Sequence, residues 1–190
     1  MTKKDLREKY RAKRSSLTVL EKDRLEDLML IEFQKLHLHI PDVVMTYSPS
    51  VRLAEYDPVL VERYCSFRNP AVSFTYPVVN EDGMMDAVLA SEDAEFVPNR
   101  YGIGEPVDWE EVNAEDIGMV FIPLLAFDTK GFRVGYGKGY YDRFLKRCRE
   151  DVIRIGFSFY EAEAVISDVN EHDVEMDICI TPGHSYIFKK

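Results

Sequence analysis

The feature that most limits the fold of this sequence is an apolar run at residues 118–127, GMVFIPLLAF, which passes directly into a glycine-rich loop and a helix pattern. A run that is apolar at almost every position is typical of a central strand covered on both faces, because half-exposed strands alternate apolar and polar residues. A buried strand that leads into a helix is the repeating unit of α/β folds. The run therefore predicts a sheet with this strand near its centre.

The rest of the chain alternates helix and strand patterns in the same way. Helix patterns cover residues 3–17, the stretch from the capping-box residue Thr18 to about Leu38, residues 58–67 and residues 139–148. Strand patterns cover residues 42–47, 71–79, 85–90, 152–159, 177–181 and 185–188. Residues 91–116 are acidic and contain Pro and Gly, so we expect them to be irregular.

This alternation predicts an α/β fold, a three-layer sandwich with a mostly parallel central sheet flanked by helices. Ligands of such sheets usually bind outside the carboxyl ends of the strands, so the loop after residue 127 should lie at that edge. No linker rich in Gly, Ser or Pro divides the sequence. We therefore expect residues 1–190 to form a single domain.

Composition excludes several classes of partner. The chain has 24 Lys and Arg against 34 Asp and Glu, a formal net charge of −10, which repels nucleic acid. Its longest apolar stretch is half a membrane span, and its first residues lack the apolar core of a signal peptide, so we expect no membrane partner. The spacing of Cys65, Cys148 and Cys179 indicates neither disulfides nor a zinc site. A cytoplasmic location fits these features.

Positive charge is nevertheless concentrated in two stretches. Residues 1–17 and 123–149 each hold seven Lys or Arg against two acidic residues, whereas residues 81–116 hold twelve acidic residues against Arg100. In the first stretch the cations recur at helical spacing and form a basic stripe, Lys3, Arg7, Arg11 and Arg14. A few converging cations can bind a small anion because salt screens distant charge within about 10 Å. The alternative is two solvated helix faces.

The segment FDTKGFRVGYGKGYYDRFL at residues 127–145 places four glycines between the buried strand and a helix. Glycines allow successive N–H groups to point at one anion, and the following helix directs its positive end to the same point. Arg133 and Lys138 add two cations, and Asp142 is either a helix-dipole partner or a ligand for magnesium. The spacing matches neither the nucleotide P-loop nor the dinucleotide fingerprint, and a tight structural loop without a ligand is the alternative.

This segment resembles the signature of the 5-formyltetrahydrofolate cyclo-ligase family, also called 5,10-methenyltetrahydrofolate synthetases. The similarity extends along essentially the whole chain. Its other elements are KKDLR at residues 3–7, Tyr47 with Pro49 and Glu55, NRYGIGEP at residues 99–106 and NEHDVEMD at residues 170–177. The resemblance implies an ATP- and Mg²⁺-dependent ring closure that converts 5-formyltetrahydrofolate to 5,10-methenyltetrahydrofolate, ADP and phosphate.

The resemblance also implies a set of site residues. Those implied for ATP are Lys3, Lys4, Asp5, Leu6 and Arg7 at the start of the chain, and Arg133, Val134, Gly135, Tyr136, Gly137, Lys138, Gly139, Tyr140 and Tyr141 in the loop. Those implied for the folate are Tyr47, Glu55, Tyr136, Gly137, Lys138, Gly139 and Tyr140. The implied catalytic residues are Arg133, Lys138 and Tyr140. The implied magnesium ligands are Asp142 and Asp173.

Each of these roles has a structural alternative. Lys3 and Arg7 could be solvated helix charges, Tyr140 and Tyr141 could be core aromatics, and Asp177 could brace the last strands. Two other functions also remain open, a nucleotide or phosphometabolite sensor without catalysis and a sugar-phosphate isomerase that uses no ATP. In every case we expect small-molecule partners, and we expect a monomer.

Overall fold

The fold is given by a computed structural model that describes residues 1–91, 94–99 and 102–188. The α-helices in these ranges are α1 (Lys3–Ser15), α2 (Val19–Lys35), α3 (Val59–Arg68) and α4 (Tyr140–Leu145). The strands are β1 (Val43–Met45), β2 (Ser73–Val79), β3 (Met85–Ala90), β4 (Phe96–Pro98), β5 (Gly104–Pro106), β6 (Trp109–Val112), β7 (Met119–Ile122), β8 (Ala126–Phe127), β9 (Arg133–Val134), β10 (Ile153–Phe157), β11 (Ile178–Thr181) and β12 (His184–Ile187). None of the described helices is both long enough and apolar enough to cross a membrane.

Eight strands form one twisted mixed sheet in the order β12-β11-β10-β7-β1-β2-β3-β6. The five inner strands, from β11 to β2, run parallel to one another, whereas β12 at one edge and β3 and β6 at the other run antiparallel to their neighbours. The predicted mostly parallel central sheet is confirmed. Its antiparallel edges were not anticipated.

The apolar strand β7 lies inside this sheet, between β10 and β1, as its composition predicts. Its side chains alternate between two cores, because successive residues of a strand point to opposite faces. Met119 and Phe121 face a core closed by α2 and α3, and Val120 and Ile122 face a second core closed by α4. Helices thus cover both faces of the sheet.

The prediction of one strand over residues 118–127 is wrong in its length. The strand ends at Ile122, because Pro123 has no N–H to donate to the ladder. The chain then leaves the main sheet, and β8 pairs with β9 in a separate antiparallel hairpin, although the chain after residue 127 was expected to be loop. The buried Asp128 carboxylate fixes the turn of this hairpin, since its Oδ1 accepts the N–H groups of Lys130 and Phe132 and its Oδ2 that of Ile166.

The acidic stretch at residues 91–116 is also more regular than predicted. Strands β4 and β5 form a small hairpin, and β6 pairs with β3 to complete the edge of the main sheet. The exposed acidic side chains of β6, Glu110 and Glu111, suit an edge strand, because charge there opposes pairing with another chain. Residues 92, 93, 100 and 101, which the same prediction covers, lie outside the described residues.

Candidate functional site

A cavity of about 1040 Å³ opens beyond the carboxyl ends of β1, β2 and β7, where Tyr47, Val79 and Pro123 contribute to its wall. This is the edge at which parallel sheets usually bind ligands. The volume is at the upper end of the usual range for small-molecule sites, roughly 300–1,000 Å³. Among the described residues that line it, Lys and Arg outnumber Asp and Glu by eight to four, so the cavity is locally positive in an acidic chain.

The glycine-rich loop forms one wall of this cavity together with α1. Gly137 has a φ of +91°, and a Cβ placed there would lie 3.3 Å from Cζ of Arg7, so the backbone and the guanidinium are in close contact. The Arg7 Nε also donates to the Gly135 carbonyl at 2.8 Å. Arg7 of the basic stripe and the loop therefore form one continuous cationic surface, although they are far apart in sequence.

The start of α1 is held against the segment that follows residue 163. The Lys3 backbone N–H donates to Asp168 at 2.7 Å, and the Met1 carbonyl accepts from the Ser167 N–H at 3.0 Å. The Lys3 ammonium pairs with both Asp173 oxygens at 2.5 and 2.6 Å, and the Asn170 N–H donates to the same carboxylate. These contacts place Lys3 at the cavity wall and not in solvent.

Arg133 and Asp142 form a second ion pair in the wall, with 2.8 Å between Nη2 and Oδ1. Arg133 is only 8% exposed, and its Nη1 donates to the Val174 carbonyl at 2.5 Å. Burial lowers the pKa of the guanidinium, and the charge of Asp142 opposes that shift. Because the Val174 N–H also donates to Asp142, the pair joins the first turn of α4 to the chain leading into β11.

Asp142 and Asp173 fit magnesium in donor type, because Mg²⁺ prefers hard carboxylate oxygens and completes its shell with water and phosphate. Within the described ranges, no group of three or more His, Cys, Asp or Glu side chains is placed to hold a metal ion. Two carboxylates suffice for an ion that shares phosphate ligands. Both are now engaged by cations, so an ion at Asp173 would compete with Lys3.

Glu55 is a buried carboxylate at the opposite wall, just after the 3₁₀ turn Val51–Leu53. One of its oxygens accepts the Ser50 N–H at 2.6 Å, and the other accepts the Tyr136 hydroxyl. Tyr136 belongs to the glycine-rich loop, so this contact joins the two walls of the cavity. Burial and the charge of Glu55 raise the pKa of the Tyr136 hydroxyl, which therefore stays protonated.

Three other tyrosines line the cavity, Tyr47, Tyr140 and Tyr141. The Tyr47 hydroxyl donates to the Tyr56 carbonyl at 3.2 Å, so this side chain contributes mainly its ring to the wall. The Tyr141 hydroxyl is buried and has no hydrogen-bond partner among the described residues, and burial raises its pKa. Arg143 stacks on the ring of Tyr140 with 5.3 Å between Cζ and the ring centre, and donates to the Lys138 carbonyl at 3.1 Å.

Most of the residues predicted for the site line this one cavity, namely Lys3, Arg7, Tyr47, Glu55, Arg133, residues 135–142 and Asp173. Four do not line it. Lys4 is exposed, Asp5 completes the capping box of α1 with Thr2, and Leu6 and Val134 are fully buried in a small core under α1. Their side chains therefore lie outside the cavity wall, and of the four only Leu6 and Val134 pack in the core beneath it.

Several predictions on neighbouring residues can also be located. Asp177 lies outside the cavity wall and pairs with Arg154 at 2.6 Å, which favours the alternative that it braces the last strands. Glu105 lines the cavity and accepts from Asn99 at 2.7 Å, whereas Pro106 is buried. Arg100 and Tyr101 of the NRYGIGEP segment lie outside the described residues.

Four cations that line the wall were not among the predicted site residues, namely Arg11, Arg52, Arg143 and Lys146. Arg11 was recognised only as a member of the basic stripe, although it follows Lys3 and Arg7 at helical spacing on the same face of α1. Arg14 belongs to the same stripe but is only 4% exposed and does not line the cavity.

A model of the 5-formyltetrahydrofolate cyclo-ligase family matches residues 61–182 of this sequence. The chain belongs to this family. A 70-residue segment is 37% identical to the 5-formyltetrahydrofolate cyclo-ligase of Mycoplasma genitalium and covers 36% of this chain and 42% of that protein. A 122-residue segment is 31% identical to the mouse protein of the same name and covers 58% of this chain and 60% of that protein. The matched segments thus span about half the length of these two relatives.

Longer matches come from Mycoplasma pneumoniae and from solved structures. The M. pneumoniae 5-formyltetrahydrofolate cyclo-ligase is 26% identical over 185 residues, which are 95% of this chain and 98% of that protein. The structure of Aquifex aeolicus 5,10-methenyltetrahydrofolate synthetase superposes with a TM-score of 0.77 at 29% identity, over 100% of this chain and 94% of that one. The M. pneumoniae synthetase structure, at a TM-score of 0.73 and 24% identity, shares the fold over 96% and 99% of the two chains. The predicted family and fold class are both confirmed.

Proposed function

We propose that this protein converts 5-formyltetrahydrofolate to 5,10-methenyltetrahydrofolate at the expense of ATP, with magnesium, releasing ADP and phosphate. The observation that carries the proposal is one cavity in which a cationic glycine-rich loop, backed by Arg7, faces the buried carboxylate Glu55. The loop suits a triphosphate, and the carboxylate suits the N–H donors of a pterin ring. Family membership supports the same pairing of substrates.

The reaction explains why cations and glycines are needed and a nucleophilic side chain is not. The formyl group on nitrogen 5 is amide-like, so its oxygen leaves only after it receives the γ-phosphoryl group of ATP. Nitrogen 10 then attacks the activated carbon, and the C–O bond breaks with loss of phosphate. For phosphoryl transfer, the protein must align the substrates and neutralise the charge of the phosphates. We assign these roles to Lys138 and Arg7.

The other residues of the wall have distinct roles in this proposal. Asp142 and Asp173 would hold magnesium, which when bound would neutralise phosphate charge. Arg133 orients the Asp142 carboxylate through the 2.8 Å ion pair. Lys3, which is paired with Asp173 in the structure and lines the same cavity, would exchange that partner for a phosphate oxygen. The ring of Tyr140 and its partner Arg143 border the loop at the start of α4.

Further parts of the proposal concern the whole chain. We propose that residues 1–190 act as one cyclo-ligase-like unit, because the cavity draws on Lys3 near the start and Asp173 in the last part of the sequence. We also propose that it acts in the cytoplasm, as a monomer, on small-molecule substrates only. The net charge of −10 supports the exclusion of nucleic acid.

The experiment that tests the function follows the near-ultraviolet absorbance of the methenyl product. Purified protein is mixed with 5-formyltetrahydrofolate, with and without Mg²⁺-ATP. We expect the signal to grow only when both magnesium and ATP are present. Silence together with calorimetric binding of ATP would favour the nucleotide sensor, and turnover of a sugar phosphate without ATP would favour the isomerase.

The same assay tests the role of Lys138. The substitution Lys138→Ala should lower kcat by about 10²–10³-fold, because the charge of Lys138 is needed most in the transition state. The circular dichroism spectrum should change little. Lys130→Ala is the matched control, since Lys130 is exposed in the turn of the β8–β9 hairpin and does not line the cavity. Equal activity of the two variants would contradict the assigned role.

A further inference from the structure

Arg14 is a buried arginine on the inner face of α1, and it contacts three segments that are distant in sequence. Its Nε donates to the Leu53 carbonyl at 3.1 Å, its Nη1 to the Leu124 carbonyl at 2.9 Å and its Nη2 to the Tyr136 hydroxyl oxygen at 2.8 Å. The side chain does not line the cavity. It lies next to the contact between Tyr136 and Glu55 that joins the two walls of the cavity.

These contacts fix the direction of a hydrogen-bond chain. A guanidinium has donors only, so the Tyr136 oxygen must accept from Arg14, and its single proton is then directed to Glu55. The second Glu55 oxygen accepts the Ser50 N–H. Both carboxylate oxygens are thereby held in position by donors from the protein, and their remaining lone pairs are left for a ligand.

Arg14 also fixes the backbone that carries Glu55. Its contact with the Leu53 carbonyl lies two residues before Glu55, and the residue between them, Ala54, has a left-handed φ of 45°. Alanine adopts this conformation only where surrounding contacts hold it. Glu55 is thus positioned by Arg14 at two points, through its backbone and through Tyr136.

We propose that Arg14 is a positioning residue for folate binding, acting through Tyr136 and the Leu53 carbonyl to hold Glu55 toward the pterin; this rests on the proposed function. The phosphate side of the cavity has its own supports, since Arg7 contacts the loop directly and Lys3 pairs with Asp173. Loss of the Arg14 contacts should therefore weaken folate binding and leave nucleotide binding nearly unchanged.

The test compares Arg14→Met, which keeps length and loses every donor, with Tyr136→Phe and with the double variant. We expect Arg14→Met to raise KM for 5-formyltetrahydrofolate by about 10-fold or more, as for loss of a charge-assisted hydrogen bond, and KM for ATP by less than about 2-fold. The double variant should raise KM by less than the product of the two single effects, because the two changes break the same hydrogen-bond chain to Glu55 and only the Leu53 contact is additional. Arg14→Lys should recover part of the folate affinity.

A matched control separates positioning from general support of α1. Tyr10 is buried on the same helix, and its hydroxyl donates to Glu163 at 2.7 Å, so Tyr10→Phe loosens the same helix without touching the chain to Glu55. We expect its two KM values to stay near those of the wild type. The inference fails if Tyr10→Phe and Arg14→Met change folate KM alike, if both KM values of Arg14→Met rise together, or if the effects of the double variant multiply.

Calorimetry of 5-formyltetrahydrofolate binding without ATP keeps this inference distinct from the proposed function. If the wild type binds the folate but does not turn over, the proposed function fails. The role of Arg14 is then still decided by the dissociation constant of Arg14→Met for the folate divided by that of the wild type. A ratio of about 10 or more supports the role, and a ratio near 1 overturns it. If the wild type binds no folate, both proposals are wrong.

Discussion

Replacing Asp142 with Asn tests whether the Arg133–Asp142 ion pair supports the fold, the metal, or both. The amide oxygen of Asn can still accept the N–H groups of Arg133 and Val174, so the variant removes the charge and keeps the shape. Arg133, 8% exposed, would then be a buried cation facing a neutral group.

The expected loss of stability follows from that burial. Removing one partner of a fully buried pair costs about 3–5 kcal/mol. Asp142 is 25% exposed, and the Asn side chain keeps both hydrogen bonds. We therefore expect a smaller loss, about 2 kcal/mol in the free energy of unfolding. For a chain of this length, that corresponds to a fall in Tm of about 4–8 °C.

Urea unfolding followed by circular dichroism at pH 7 measures this loss. The matched control is Asp151→Asn, which breaks the exposed Arg149–Asp151 pair and should leave the urea midpoint unchanged, since both of its side chains are largely in solvent. Equal midpoints for the two variants would refute the argument from burial. The dependence of turnover on magnesium is read separately, and an unchanged magnesium requirement in Asp142→Asn would remove Asp142 from the proposed metal ligands.

Two further predictions concern a buried acid and a loop glycine. Burial raises the pKa of the Glu62 carboxyl above its ordinary 4.5, so the contribution of Glu62 to the free energy of unfolding falls as pH rises from 4.5 through the folded-state pKa. Glu62→Gln keeps an acceptor for Thr46 and does not titrate, so its stability should rise relative to that of the wild type over the same pH range. Urea unfolding from pH 4.5 to 7 measures this, and a difference independent of pH would contradict it. Gly137→Ala should raise KM for ATP about 10-fold without loss of helix content, because a side chain is strained at φ +91° and presses on Arg7; an unchanged KM would contradict this.

The sequence predicted the elements of the fold best where local pattern alone decides them. The apolar residues of β7 and the capping boxes at Thr2 and Thr18 act over a few positions, and Thr18 was recognised as the start of a helix. The end of β7 was missed although Pro123 marks it, because the apolar composition of the run continues beyond the proline.

The candidate site was predictable in its ligand-facing loop and less so in its supports. Glycine and lysine positions in the loop have a local signature, whereas the role of Arg14 depends on Leu124 and Tyr136, which are 110 and 122 residues away. Such pairing depends on how the sheet is assembled, and no local pattern records it. The same holds for Asp142 and Asp173, which read as open carboxylates in the sequence and prove to be paired with cations.

The contact between Lys3 and Asp173 also has a consequence for the order in which parts of the protein fold. The two residues are 170 positions apart, and closing so long a loop costs more conformational entropy than forming the helix around Lys3 or the turns of the glycine loop. We therefore expect this contact to form after the sheet has brought the two segments together. During synthesis, the phosphate wall should stay incomplete until residue 173 has left the ribosome.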